Sequence, residues 1–230
     1  MISTRKIAII VGILFILADV TLFTGEAFYK PILSAPDYLE NAYPNKVKIV
    51  FGVLLEFVGY LGLVLIPVLL YPILKKHHPI LALGYVSFRL FEVVLLSVAQ
   101  VNKLSLINLS QHYLEKSRAD TAYFEQLGNA TKSIIYWVNS DGFIYILVFV
   151  IGGLLFHTAL YQSKLLPRWI AIWGLIADVA LITAFIFVAF DLPSALSITL
   201  VLPIAFQEIV MSIWMIVKGF NSTGLNTKSN

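Results

Sequence analysis

Residues 79–102 read PILALGYVSFRLFEVVLLSVAQVN. A helix needs about 20 predominantly apolar residues to cross a bilayer, and this run has them, with Arg89 and Glu92 as its only charges. Tyr85, Arg89, Glu92 and Leu96 follow i, i+4, i+7 spacing, which puts them on one helical face with Arg89 and Glu92 close enough to pair. The rest of the surface is apolar. Such a helix belongs in lipid, with a single polar stripe turned towards neighbouring helices.

Outward from this stretch, five further runs of the same character cover residues 7–28, 49–74, 133–161, 169–190 and 195–217, making six spans in all. Of the 230 residues, 59% are hydrophobic and 13% charged, against roughly half and about a quarter in soluble domains. Mean hydropathy is +0.87. A chain of this size cannot hide so much apolar surface in a water-facing fold. The fold predicted is an all-α polytopic membrane protein, a six-helix bundle forming one integral domain over 1–230. Soluble enzymes, disordered tails and nucleic-acid binders are excluded, and the lipid bilayer is the partner that composition specifies. Cysteine is absent, which removes disulfides, thiolate metal sites, Cys nucleophiles and S-palmitoylation.

The first span follows Arg5 and Lys6, as a secretory signal would, but it is too long for a signal's apolar core and carries Asp19 at mid-length. It reads as an uncleaved anchor. Orientation comes from basic residues near helix ends. With the N-terminus inside, segments 1–6, 75–78, 162–168 and 218–230 hold Arg5, Lys6, Lys75, Lys76, Lys164, Arg168, Lys218 and Lys228, 8 in 30 residues. The outer segments 29–48, 103–132 and 191–194 hold 7 in 54. Both termini are therefore expected inside, and the net charge of +3 reflects basic loops beside anionic lipid. Tyr71, Tyr161, Trp169 and Trp173 mark one aromatic belt, and Tyr29, Tyr136 and Trp137 the other. Leu104, Leu106, Ile107 and Leu109 prolong the third helix, and Ser117 to Asp120 reads as a capping box. An outer helical hairpin over about 103–132, breaking near 116–118, is expected, with an interfacial amphipathic helix as its alternative.

One carboxylate lies in every span: Asp19, Glu56, Glu92, Asp141, Asp178 and Glu208, with Glu26 near the end of the first. Arg89 is the single cation within the boundaries drawn. An ionised residue at a helix centre costs about 2.5–3.5 kcal/mol on insertion scales, so seven facing lipid would cost on the order of 20 kcal/mol, more than a typical fold's net stability. They must face the interior, paired, hydrated or protonated. Gly52, Glu56 and Tyr60 share a face, as do Trp137, Asp141 and Tyr145, and Glu208 with Ser212. A cluster so rich in acid suits protons, a metal ion or an organic cation. The competing reading is a hydrogen-bonded network that only fixes helix register. His157 reads as a packed hydrogen-bonding residue rather than a metal ligand. No cofactor is specified, and no hydrolase, Walker or dinucleotide motif occurs.

Pro44-Asn45, Leu54-Leu55-Glu56, residues 71–76 (YPILKK), 81–92 (LALGYVSFRLFE) and 161–168 (YQSKLLPR) together resemble a bacterial membrane family catalogued as domain of unknown function 4386. The likeness runs from about residue 7 to 190, with the Arg-Glu stripe and the Ser-Lys-x-x-Pro-Arg turn as its most specific parts. The resemblance implies a six-helix protein of the bacterial cytoplasmic membrane. It implies no activity, so no catalytic residue is carried over.

Three functional readings follow. The first is a small binder or transporter whose cavity holds protons or a cationic ligand, through Asp19, Glu56, Glu92, Asp141, Asp178 and Glu208, with Arg89 keeping one acid ionised. The second is a non-transporting membrane sensor or partner subunit with a structural charge network. The third is a lipid-active enzyme using two carboxylates, Asp141 among them, as acid and base. Oligomeric state is not written in the sequence.

Overall fold

The computed structural model describes residues 3–115, 121–139, 142–190 and 195–225, and all regular structure among them is helical. The helices are α1 (Thr4–Leu33), α2 (Tyr38–Asn41), α3 (Lys46–Leu74), α4 (Pro79–Glu115), α5 (Thr121–Val138), α6 (Phe143–Ser163), α7 (Arg168–Ala189), α8 (Ala195–Val217) and α9 (Ser222–Leu225). Six candidates are long and apolar enough to cross a membrane: α1, α3, α4, the stretch Thr121–Ser163 that holds α5 and α6, and most of α7 and of α8. This is a multi-pass, all-α membrane protein, as the composition predicts. The capping box at 117–120 and the expected break at 116–118 lie outside the described residues.

These sequences form helices because a segment in hydrocarbon must satisfy its own backbone polar groups. They need no strong amphipathicity, because lipid is as apolar as leucine and does not drive such side chains inward. Phe23, Leu61, Val94 and Ile176 accordingly leave more than half of their surface outside the protein. α4 is 37 residues long, about 55 Å at 1.5 Å per residue. Even tilted by 40° it exceeds a hydrocarbon core about 30 Å thick, so part of it leaves the apolar layer. α3 continues through Pro67 and Pro72, and α8 through Pro203.

By their internal contacts the residues divide into two compact units. The first comprises Met1–Leu17, Leu61–Val93 and Ile146–Asn230. Its core gathers Phe15, Ile66, Leu70, Tyr85, Phe156 and Met211, with Tyr85 stacked on Phe156 at 4.4 Å between ring centroids. α7 packs against α8. The guanidinium of Arg5 donates to the carbonyls of Met215, Ile216 and Val217 at 3.1, 2.7 and 3.0 Å, capping α8 where its last carbonyls lack partners. Lys164 takes the left-handed conformation, φ 56°, in the turn before α7. Asn221 holds that turn, its amide donating to Lys164 O at 3.1 Å and its backbone N–H to Leu165 O at 2.8 Å.

The second unit comprises Ala18–Tyr60 and Val94–Tyr145. Here α1 and α3 touch backbone to backbone. A Cβ on Gly25 would lie 2.6 Å from the Gly52 carbonyl oxygen, and one on Gly52 would lie 2.5 Å from that of Gly25. The short α2 is tied to α4 by Ser110, which accepts from Tyr43 N–H at 2.8 Å and donates to Leu39 O at 2.6 Å.

Candidate functional site

The close approach of α1 and α3 at Gly25 and Gly52 brings Tyr29 to Glu56. Each is one helical turn from its glycine, so each side chain enters the space that the glycines leave narrow. Tyr29 Oη donates to Glu56 Oε1 at 2.6 Å. The other carboxylate oxygen accepts from Lys103 Nζ at 3.1 Å, from Tyr60 Oη at 3.4 Å and from the Gln100 amide. Lys103 also donates to Tyr29 Oη at 2.5 Å and sits 4.0 Å from the centre of that ring, while Gln100 also donates to Tyr60 Oη. Lys103 and Glu56 are 1% and 5% exposed at the side chain. Burying two charges is tolerable only where geometry and extra hydrogen bonds compensate for lost hydration; four donors converging on one carboxylate provide them.

A cavity of about 130 Å³ adjoins this cluster. Glu26, Tyr29 and Lys30 line it from α1, Lys103 and Leu106 from α4, and Lys132, Ile135 and Tyr136 from α5, with Leu33, Ser34 and Asn139 completing the wall. Glu26 is held by Lys30 at 2.6 Å. Lys132 places its ammonium 4.3 Å from the centre of the Tyr38 ring.

Two more charge clusters belong to the other unit. Arg89 Nη1 donates to both Glu92 oxygens, at 3.1 and 3.0 Å, and Nη2 lies 4.0 Å from Glu208 Oε1. The guanidinium also lies over Phe149 at 5.0 Å and over Tyr85 at 5.6 Å. Asp178 and His157 form the second cluster, with His157 Nδ1 2.7 Å from Asp178 Oδ2. Their seating is reciprocal. A Cβ on Gly153 of α6 would meet Asp178 Oδ1 at 2.5 Å, and one on Gly174 of α7 would collide with the His157 ring. Each glycine lies four residues before the partner that its own helix supplies, so α6 and α7 offer one bare turn and one polar side chain apiece. His157 Nε2 and Asp178 Oδ1 are buried without a hydrogen-bond partner among the described residues.

The sequence-derived residues thus separate. Arg89, Glu92 and Glu208 come together in one unit, where Asp178 pairs with His157; Glu56 lies in the other, with Lys103. Asp19 is half-buried in that second unit, and Asp141 lies outside the described residues. Arg89 is not the only buried cation, because Lys103 is another, one position past the boundary drawn for the third span. Its signal was present. Buried Tyr85, Arg89, Glu92 and Leu96 continue as Ala99, Gln100, Lys103, Leu106 and Ser110, the same stripe carried further along α4. Tyr29, assigned to an aromatic belt, is 5% exposed and belongs to the Glu56 cluster. Among the described residues no group of three His, Cys, Asp or Glu is placed to hold a metal ion.

No curated protein and no solved structure matches the chain. A family model does match, over residues 10–219, and it extends through the last span, beyond the stretches that carry the resemblance in sequence. With the Arg89–Glu92 stripe and all but the first residues of the six membrane-crossing candidates inside that match, the chain belongs to the family described as Domain of unknown function (DUF4386).

Proposed function

We propose that this protein is a small binder or transporter of the bacterial cytoplasmic membrane, with the Glu56–Lys103 pair as its working element and the proton as one of its ligands. One observation carries the reading: Lys103, 1% exposed, is at once the counter-ion of Glu56 and part of a cavity wall. A pair kept only for stability gains nothing from a void beside it, since apolar residues of equal volume serve as well or better. A proton on Glu56 frees the ammonium of Lys103, and loss of that proton recaptures it. A proton suits the site better than a metal or organic cation, because Lys103 repels both. Arg89 with Glu92 and Glu208, and His157 with Asp178, take the structural role in this reading, fixing the register of their helices.

The test is infrared spectroscopy of the reconstituted protein. A pH-dependent carboxyl band is expected in the wild type and is missing from Glu56→Gln. An identical titration in the two proteins sinks the proposal. The second reading, a sensor or partner subunit with purely structural charges, draws support from the glycine seats around His157 and Asp178, which leave those groups no adjoining room. It gains if Arg89→Ala fails to fold while Glu56→Gln behaves as wild type in every assay.

A further inference from the structure

We infer that the cavity beside Lys103 is a binding site for a small anion, a carboxylate or phosphate group. The inference deepens the reading of Glu56 and Lys103 given above and rests on it for the role of Lys103. Its own ground is the composition of the wall. Three ammonium groups, from Lys30, Lys103 and Lys132, line it; Glu26 holds Lys30 at 2.6 Å and Glu56 holds Lys103 at 3.1 Å, so the ammonium of Lys132 stands in excess. Tyr136 and Asn139 add neutral hydrogen-bond donors. A cation entering here meets the ammonium of Lys132 and two more that already hold carboxylates. An anion meets a ring of donors, and lysine acts as a point charge for phosphate and carboxylate alike.

Size narrows the class. A cavity near 150 Å³ accommodates a ligand of about six heavy atoms, and this one measures about 130 Å³. Phosphate, acetate and the phosphodiester of a lipid headgroup fit; a nucleotide or a sugar phosphate does not. The same dimensions suit exchange at Lys103. Glu56 Oε2 and a bound anion compete for one ammonium, so a proton on Glu56 and an anion in the cavity favour each other, and the pair enters as a neutral unit. The titratable groups facing Glu56 are Tyr29 from α1, Tyr60 from its own helix and Lys103 from α4. Glu26 and Lys30 from α1, with Lys132 and Tyr136 from α5, share the cavity wall.

The test uses the whole chain in nanodiscs of phosphatidylcholine. Phosphate and acetate are titrated by calorimetry, and in separate preparations phosphatidylglycerol replaces part of the bilayer while thermal stability is read. Lys132→Gln is the main variant, because its half-buried side chain makes no ion pair with a described residue and the fold should survive its loss. Binding of free phosphate or acetate, weakened by about tenfold or more in Lys132→Gln, supports the site with a soluble ligand. Stabilisation by phosphatidylglycerol alone, lost in the same variant, supports it with a headgroup. No response to either source, or a response that Lys132→Gln leaves unchanged, overturns it. Glu56→Gln separates the two proposals. If it binds the anion more tightly and without pH dependence, exchange at Lys103 stands; if anion binding persists with its pH dependence unaltered, the site survives and the role of Glu56 falls.

Discussion

Gly174→Ala tests the reciprocal seat of α6 and α7 most sharply. The added methyl would meet Cδ2, Nε2 and Cγ of His157 closer than real Cβ atoms come, so the imidazole must move. It cannot do so freely, because Nδ1 is held 2.7 Å from Asp178 and the Asp178 carboxylate lies against Gly153. Breaking a buried pair on one side costs about 3–5 kcal/mol, while alanine in place of glycine within a helix returns about 1 kcal/mol. The net expectation is a loss of about 2–4 kcal/mol. In a His157→Ala background the ring is gone, the methyl fills vacated space, and the same change becomes neutral or gains up to about 1 kcal/mol. The coupling between the two positions is therefore about 3 kcal/mol, at the top of the range for residues in contact. Unfolding in mixed micelles by added sodium dodecyl sulfate, followed by far-ultraviolet circular dichroism, measures all four corners of the cycle. Equal costs for Gly174→Ala in both backgrounds would refute the reasoning, since the methyl would then be paying for something other than His157.

The other expectations concern separate parts of the fold. Gly25→Ala sets a methyl 2.6 Å from the Gly52 carbonyl oxygen. A backbone atom cannot rotate away, so α1 and α3 must part; a loss of about 2 kcal/mol or more should come with a larger tyrosine fluorescence change than Gly174→Ala gives, because Tyr29 leaves Glu56. Lys164→Gly relieves a left-handed residue that costs roughly 1–2 kcal/mol in any L-amino acid other than glycine or asparagine, and the extra freedom of the unfolded chain takes back about 0.4–1 kcal/mol. A small gain in the same titration is expected, and a loss would mean that the lysine side chain holds the turn. Burial, opposed in part by a backbone hydrogen bond at Gly224, holds the His77 imidazole below its ordinary value. The unfolded chain therefore takes up its proton first as pH falls through about 6.5, and stability should decline with acidification from that point. In His77→Gln this part of the slope disappears; an unchanged slope assigns it to other groups.

The membrane fold was legible because its cause is compositional. Six apolar runs of sufficient length admit few structures other than helices, and the structure carries six candidates near the expected positions. The inward turn of the third span was legible too, since Tyr85, Arg89, Glu92 and Leu96 share a face at any degree of packing, and all four are buried. Partner choice was another matter. Periodicity says which residues share a face of one helix and is silent on which helix that face meets. The encounter of Glu56 with Tyr29 depends on Gly25 and Gly52 letting two backbones touch, a relation across helices that no spacing within either one encodes. The same limit hid the match between Gly153, His157, Gly174 and Asp178.

Lys103 was lost for a different reason, and it is the more instructive one. A hydropathy boundary ends a span where a charge appears, on the premise that charges mark the water. α4 violates the premise, because its buried stripe continues past Asn102 through Lys103 and Leu106 to Ser110. A boundary drawn by the period of buried positions rather than by mean hydropathy would have kept Lys103 on the same face as Arg89, fourteen residues and four turns along. The two cations then share three of the acids. Arg89 serves Glu92 and Glu208, and Lys103 serves Glu56. The surroundings differ more than the charges do. Arg89 is packed by Phe149 and Tyr85, whereas Lys103 borders open volume. A buried charge enclosed by rings can do little but hold position, and one that faces a cavity has somewhere to send its charge.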